Sequence, residues 1–430
     1  MAGRGRNPPG RTALEALSFF MADMQAGIGP FLGVLLLAHG WRAGAIGTVI
    51  SVGAVAGMIA TGPCGALVDA TSRKRGWIAV AGLMSLAASG LVLVSQRPWL
   101  IGASQMIACI AGAALGPGMV GLTLGVARQA GFNAQNGRNQ AFNHAGNLAG
   151  AGLSGVLGWR FGFAAVFWLA AVFSAFSIAC AFAIPKAVID DAEARGLAGD
   201  AGGAARPRGW ASLFESKPLL VAAAALTLFH LGNAAMLPLY GMAVVAAHRG
   251  DPAGFVAMTI VVAQGVMVVT SLAAMKLAAR RGYWLVLLIA FACLPIRGLL
   301  AAALITGWGV WPVGVLDGIA AGLLSVAAPG LIARIMDGAG RVNAAQGAIM
   351  AAQGFGGAVS PVLGGWIAQA WGYPAALATL GGFSLISLAL WIGFARTLRP
   401  VSAALAGPRT ARVPCGLGAS ALSRQNRPNG

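Results

Sequence analysis

From residue 13 to residue 395 the chain alternates long apolar runs with short polar punctuation, and windows bounded by Arg/Lys, Pro and Gly give twelve segments. Their limits are 13 to 38, 44 to 68, 76 to 96, 99 to 127, 139 to 158, 162 to 184, 218 to 246, 253 to 277, 283 to 306, 309 to 333, 343 to 369 and 373 to 395. A helix needs ~20 residues to cross ~30 Å of hydrocarbon, and none of the runs shows the alternation of a membrane barrel strand. Helices are therefore the expected spanning elements, since a backbone in lipid must satisfy its own hydrogen bonds. One hydrophilic stretch, with Asp190, Asp191, Glu193, Asp200, Arg206 and Arg208, divides the chain six plus six. The expected organisation is a tail over 1–12, a six-helix bundle over 13–184, a central loop over 185–217, a second bundle over 218–395 and a basic tail over 396–430. That last tail lacks apolar periodicity and is expected to be disordered.

Composition agrees with this pattern. Hydrophobic residues make up 58% of the chain and charged residues 9%, and the mean hydropathy is +0.78, so a water-soluble globule would lack the polar surface to cover itself. The 64 glycines let helices approach closely in lipid. A net charge of +18 raises the question of nucleic acid, but the basic residues are scattered at the ends of apolar runs and form no single face, so no nucleic-acid partner is expected. With the N-terminus inside, 24 of the 29 Lys/Arg fall on the cytoplasmic side, which predicts both termini in the cytoplasm. Arg4, Arg6 and Arg11 precede the first run as in a signal peptide, yet that run is long and carries Asp23, and so reads as a retained helix. Cys64, Cys109, Cys180, Cys293 and Cys415 form no CxxC and have no His in metal spacing, so they read as reduced packing thiols, with no metal or cofactor expected.

The halves echo each other. Gln25, Pro30 and Gly33 stand in the same relation as Asn233, Pro238 and Gly241 about 208 residues later. Ala111-Gly112 followed by Pro117-Gly118 recurs as Ala321-Gly322 followed by Pro329-Gly330, and Gly137-Arg138 recurs as Gly340-Arg341. Two repeats facing each other across a cavity suit alternating access about a site near mid-membrane.

Between the second and third runs the chain reads Gly65-Ala66-Leu67-Val68-Asp69-Ala70-Thr71-Ser72-Arg73-Lys74-Arg75. This resembles the G-x-L-x-D-x-x-G-R-K cytoplasmic signature of the major facilitator superfamily, with Ser72 in place of the second Gly. Leu277 to Gly282 looks like a worn copy, with Ala279 where the Asp would stand. The resemblance covers residues 12 to 396 and implies an all-α polytopic membrane fold of twelve transmembrane helices in two pseudo-symmetric six-helix bundles. It implies that Gly65, Leu67, Asp69, Arg73, Lys74 and Arg75 form a cytoplasmic gate that latches the halves when the cavity opens outward; simple topogenic charge is the plainer reading of the basic residues.

Polar side chains inside the runs are few: Asp23, Gln25, Gln105, Asn143, His144, Asn147, His230, Asn233, Gln264, Arg297, Asp317, Gln346 and Gln353. The resemblance places spans 1, 4, 7 and 10 around the cavity with 2, 5, 8 and 11 beside them, so most of these can face it. Asp23 and His230 are the proton-coupling candidates and the others line the substrate cavity. A carboxylate near the membrane centre costs roughly 2.5 to 3.5 kcal/mol, so Asp23 should face protein or a wet cavity and could load and release a proton; a packing role is the alternative. Gln25 lies roughly 200° around the helix from it and cannot share its direction. His230 falls within one residue of Asp23's counterpart and could share its proton, bind substrate or simply pack. Arg297 and Asp317 lie at matched depth, ~12 to 14 Å from the outer end, which favours an ion pair. A static pair, a pair broken during the cycle and an Arg297 that holds an anionic substrate all fit. Asn143 and Asn147 share a helical face. The Gly146 to Gly158 run is faintly like an antiporter signature but has no Pro, and the closer match, Gln353 to Gly365, lies in the other half.

These readings converge on a secondary transporter of the bacterial cytoplasmic membrane, similar to the drug and metabolite proton-antiporter branch. It would act as a monomer on a small molecule, driven by protons. Efflux is the first expectation, with proton-coupled uptake of a metabolite and a non-transporting receptor or scaffold as alternatives. No Walker ATP site and no HExxH occur, so an enzyme is not expected.

Overall fold

The apolar runs fold as helices. The computed structural model describes residues 10–26, 28–190, 216–248, 251–336 and 342–402. Within them lie α1 (Arg11–Ala26), α2 (Ile28–Ala38), α3 (Ala43–Ala70), α4 (Lys74–Val94), α5 (Pro98–Phe161), α6 (Phe163–Ala183), α7 (Lys217–Asn233), α8 (Met236–Ala246), α9 (Pro252–Arg281), α10 (Tyr283–Ala303), α11 (Val310–Ile335), α12 (Val342–Trp371), α13 (Tyr373–Gly393) and α14 (Ala395–Ser402). Among the described residues nine helical segments are long and apolar enough to cross a membrane. The other three expected spans are carried by α1 with α2, by the second part of α5 and by α12. Ile59, Val269 and Leu299, each about two-thirds exposed, stand on the outer surface, where water would penalise them and lipid would not.

Proline explains the division of the seventh span. Pro238 has no N–H for the carbonyl of Ala234, which follows the last residue of α7. Pro30 stands at the equivalent position of the first span by sequence. Gly27 lies outside the described residues, as do the side chains of 23–26 and 28–30.

One expectation fails. Residues 128–138 were to form a polar connection between the fourth and fifth spans, but α5 runs through them with a kink at Arg128, whose φ is 55°. The kink frees the Gly125 carbonyl, which accepts from the Asp190 N–H at 2.9 Å. Gln135 and Arg138 of this stretch face a buried acid, described below, so the segment is helical without being apolar.

The two halves repeat the same pairings. The first part of α5 packs on α3 and the second on α1, while α6 packs on α1 and α4; correspondingly α11 packs on α9, α12 on α7, and α13 on α7 and α10. Between the halves, α3 meets α12, α5 meets α9 and α2 meets α8. One end of the assembly, here the terminal end, carries the start of α1 and the end of α13; the distal end carries the connection 39–42, the end of α8 and the start of α9.

Candidate functional site

Contacts between the halves concentrate at the distal end. On α3, a methyl group built at Gly47 would overlap the Pro361 carbonyl oxygen and sit 2.8 Å from its carbon and 3.3 Å from Gly365 Cα, so the backbones of α3 and α12 touch there. The Ser51 Oγ accepts from the Val362 N–H at 2.9 Å, and the Trp366 ring N–H donates to the Thr48 Oγ1 at 3.2 Å. Gly155 and Gly158 of α5 meet Ala257 and Ala253 of α9. Gly33 of α2 lies under Met242 of α8.

Cavities open towards the terminal end. One, of about 700 Å³, opens beside α1, α3 and α5, with Ser18, Thr61, Thr123, Asn139 and Asn143 on its walls and Met350 of α12 across from them. Among the described residues none of its lining is charged. The second, of about 500 Å³, separates α5 from α9 and is lined by Gln140, His144, Leu148, Gln264, Leu272 and Ser325. The His144 Nδ1, the Asn147 Oδ1 and the Gln264 Oε1 are buried with no hydrogen-bond partner.

Behind the first cavity is a network that the polar pattern did not reveal. Glu15, nearly buried on α1, pairs with Arg138 at 3.4 Å and accepts from the Gln135 amide at 3.4 Å. Gln135 also donates to Asn139 at 3.0 Å, and Asn139 to Thr123 at 2.9 Å, so the acid is linked through amides to the cavity wall. Glu15 stands two residues inside the first apolar run, where it reads as an interfacial charge; the fourfold spacing of Gln135, Asn139 and Asn143 was the available signal.

In the other half the Arg297 guanidinium is wholly buried on α10. One nitrogen meets the Asp317 carboxylate of α11, a second donates to the Asn233 Oδ1 at 2.8 Å, and Nε donates to the Met236 sulfur at 3.0 Å. Asn233 is the last residue of α7 and Met236 the first of α8, so Arg297 grips both sides of the proline interruption. The displaced Ala235 N–H is taken by the Ser360 Oγ of α12 at 3.0 Å.

The remaining candidates are dispersed. His230 donates from Nδ1 to the Leu226 carbonyl at 2.8 Å and sits edge-on to Phe229. Asn143 donates to the Ser18 carbonyl and accepts from Asn147, both at 3.4 Å. Gln105 is buried against Gly53 of α3, Gln346 ties α12 to the Pro329 carbonyl at 2.9 Å, and Gln353 is half-buried on α12. Asp23 and Gln25 lie on α1 with side chains outside the described residues. In the signature loop Gly65 borders the larger cavity, while Leu67 and Arg73 are exposed. Lys74 is buried with its Nζ donating to the Val68 carbonyl at 2.8 Å, and Arg75 donates to the Ile184 carbonyl at 2.6 Å. Both bonds stay within the first half. The Asp69 side chain lies outside the described residues.

A sequence profile described as Major Facilitator Superfamily matches residues 15–344. Two uncharacterised MFS-type transporters of Mycobacterium tuberculosis, from strains CDC 1551 / Oshkosh and ATCC 25618 / H37Rv, are each 35% identical over 384 residues, covering 88% of this chain and 91% of theirs. The chain belongs to the Major Facilitator Superfamily. Solved MFS structures share its fold: a mutant of the nucleoside transporter NupG at a TM-score of 0.74 and 13% identity, over 89% of this chain and 99% of that one. A bacterial homologue of the human lysosomal transporter Spinster gives 0.66 at 12% identity, over 93% and 99%. As an MFS transporter, this protein lies in the lipid bilayer as a multi-pass protein and carries a small-molecule substrate.

Proposed function

We propose that this MFS transporter exports a drug-like or metabolite small molecule across the bacterial cytoplasmic membrane as a monomer, in exchange for protons and by alternating access. The observation that carries the reading is the asymmetry of the interface between the halves: backbone contact at the distal end, cavities towards the terminal end. With the positive charge excess placing the terminal end in the cytoplasm, this arrangement is the inward-open state of the cycle. Of the signature residues, Arg75 supports it by donating to the Ile184 carbonyl of its own half. The larger cavity mixes methionine and other apolar surface with neutral hydroxyl and amide groups, which suits an uncharged or amphipathic substrate taken from the cytoplasm.

Proton coupling rests on acids within the spans. Asp23 is the proposed carrier, with His230 at the matching position of the second repeat, because a carboxyl that alternates between a wet cavity and a closed interior changes its proton affinity at each step. Inverted membrane vesicles with an acid lumen provide the test, using a panel of fluorescent cationic and neutral dyes. Export by antiport fills the lumen with substrate as protons leave. Preloaded substrate leaving the lumen together with protons would instead establish uptake by symport. Binding without flux would establish a receptor.

A further inference from the structure

Pro30 and Pro238 are equivalent by sequence, but the interruption at Pro238 is held by a device that the sequence of the first half does not repeat. Segments 76 to 96 and 99 to 127, the counterparts of α10 and α11, contain no charged residue, whereas α10 and α11 contribute Arg297 and Asp317.

At Pro238 the backbone loses its bond to the Ala234 carbonyl, so the angle between α7 and α8 is not fixed by the helix itself. A planar guanidinium presents its donors in a fixed fork, and here the fork reaches Asn233 on one side of the interruption, Met236 on the other and Asp317 on α11. Ser360 holds the displaced Ala235 N–H from the opposite side. These four contacts leave the joint one setting. That setting has a consequence at the distal end, where α8 lies on α2: a Cβ at Gly241 would be 3.8 Å from Val34, and one at Gly33 would be 3.4 Å from the Met242 sulfur.

We infer that Arg297 is a positioning residue for the distal gate: by clamping the α7–α8 joint against Asp317 it sets the angle at which α8 closes on α2. The inference rests on the alternating-access reading and assigns its closing step to one side chain. A buried pair that served only packing would be replaceable by apolar residues of similar volume at little cost, because desolvation offsets most of the attraction between the charges. A clamp is not replaceable in that way, because the geometry is lost with the fork.

The test measures spin-label distances in the full chain, in nanodiscs, with the five native cysteines replaced by alanine. A distal pair places cysteines at the exposed positions His39 and Ala247, and a terminal pair places them at Gln140 and Leu272. The variant Arg297→Met with Asp317→Leu removes both charges together and leaves no orphan. It is expected to fold with a melting midpoint near that of the parent, to enrich the long distal distance at least tenfold, to shorten the terminal distance and to slow transport at least tenfold. Arg297→Lys keeps the charge but donates from a single point, and should enrich the long distal distance less; it serves as the readout if the double variant does not insert. A folded double variant, or a folded Arg297→Lys, with parental distances and turnover would overturn the clamp while leaving alternating access intact. A parent protein whose two pairs never change in opposition, at any pH between 5.5 and 8, would overturn the alternating-access reading and the clamp with it.

Discussion

A single methyl group at Gly47 should hold the distal end open. The Cβ of an alanine there would lie 2.8 Å from the Pro361 carbonyl carbon and 3.3 Å from Gly365 Cα, with the Pro361 oxygen closer still. Non-bonded carbons rest at about 3.5 to 4.0 Å, so α3 and α12 would have to separate by roughly 1 Å, and the obstacle is backbone on both sides, which cannot swing away. Overpacking of this kind costs about 1 to 3 kcal/mol. The cost falls only on the state in which these helices touch, so the equilibrium should move towards the distally open state by about 5- to 150-fold. A cysteine at Ser51, buried in the same interface, reports this through its rate of labelling by a membrane-impermeant maleimide added from the distal side. Gly62→Ala, on the same helix with open space around it, is the control and should leave the rate unchanged. If Gly47→Ala inserts normally yet labels at the parental rate and transports at the parental rate, backbone contact between α3 and α12 is not the distal seal.

Three further outcomes are expected. Asp23→Asn should abolish transport driven by a pH gradient while sparing insertion, measured by flux and surface expression in the same vesicles; full activity would remove Asp23 from the coupling role. Glu15→Ala should lower the thermal midpoint by a few degrees, because one Gln135 N–H and the Arg138 guanidinium lose the acceptor they share at a cost of about 1 to 3 kcal/mol, while Glu15→Gln, which keeps an acceptor oxygen, should lose less. Asp251→Ala removes the carboxylate that accepts from the Gly254 N–H at 2.7 Å and caps α9; it should cost about 1 kcal/mol in thermal unfolding and leave the rate of transport unchanged.

Much of the architecture was legible because lipid imposes a simple rule: apolar runs of spanning length become helices, and repeated proline and glycine positions mark repeated bends. Pro30 and Pro238 were visible as an echo, and the seventh span divides just before Pro238. The depth of Arg297 and Asp317 was also readable, since 1.5 Å per residue converts position into height. Their further partners were not, because helix rotation decides which side chains meet: Asn233 stood out as a polar residue within a span but nothing joined it to Arg297, and nothing distinguishes Met236 from its neighbours. The setting of the basic residues near the terminal end was not legible either. Lys74 read as a gate residue or a topogenic charge; its stem lies buried and its ammonium caps the carbonyl end of α3 at Val68. The helical course of residues 128–138 was hidden because its partners are polar: Gln135 and Asn139 turn inward to Glu15, so hydropathy alone reads the segment as a loop. Of 64 glycines, only the facing helix identifies Gly47 and Gly365 as contact points.

The repeats share a proline position but not its chemistry, and that difference bears on how the transporter works. In the second half the hinge is charged, paired and dry: Arg297 is wholly buried and its three nitrogens meet Asp317, Asn233 and Met236. Removing one partner of such a group leaves an uncompensated charge at a cost of about 3 to 5 kcal/mol, so the pairing resists rearrangement. In the first half the equivalent spans offer no basic partner, and an acid, Asp23, stands three residues before the end of α1. A carboxyl without a cation beside it can discharge only by taking a proton, whereas one paired with arginine holds its charge. On the proposed role of Asp23, the matched positions carry a neutralisable group in one repeat and a locked one in the other, with proton exchange in the first half and a fixed closing angle in the second. Moving a basic residue beside Asp23 should then abolish coupling, whereas adding a second acid near Arg297 should not create it.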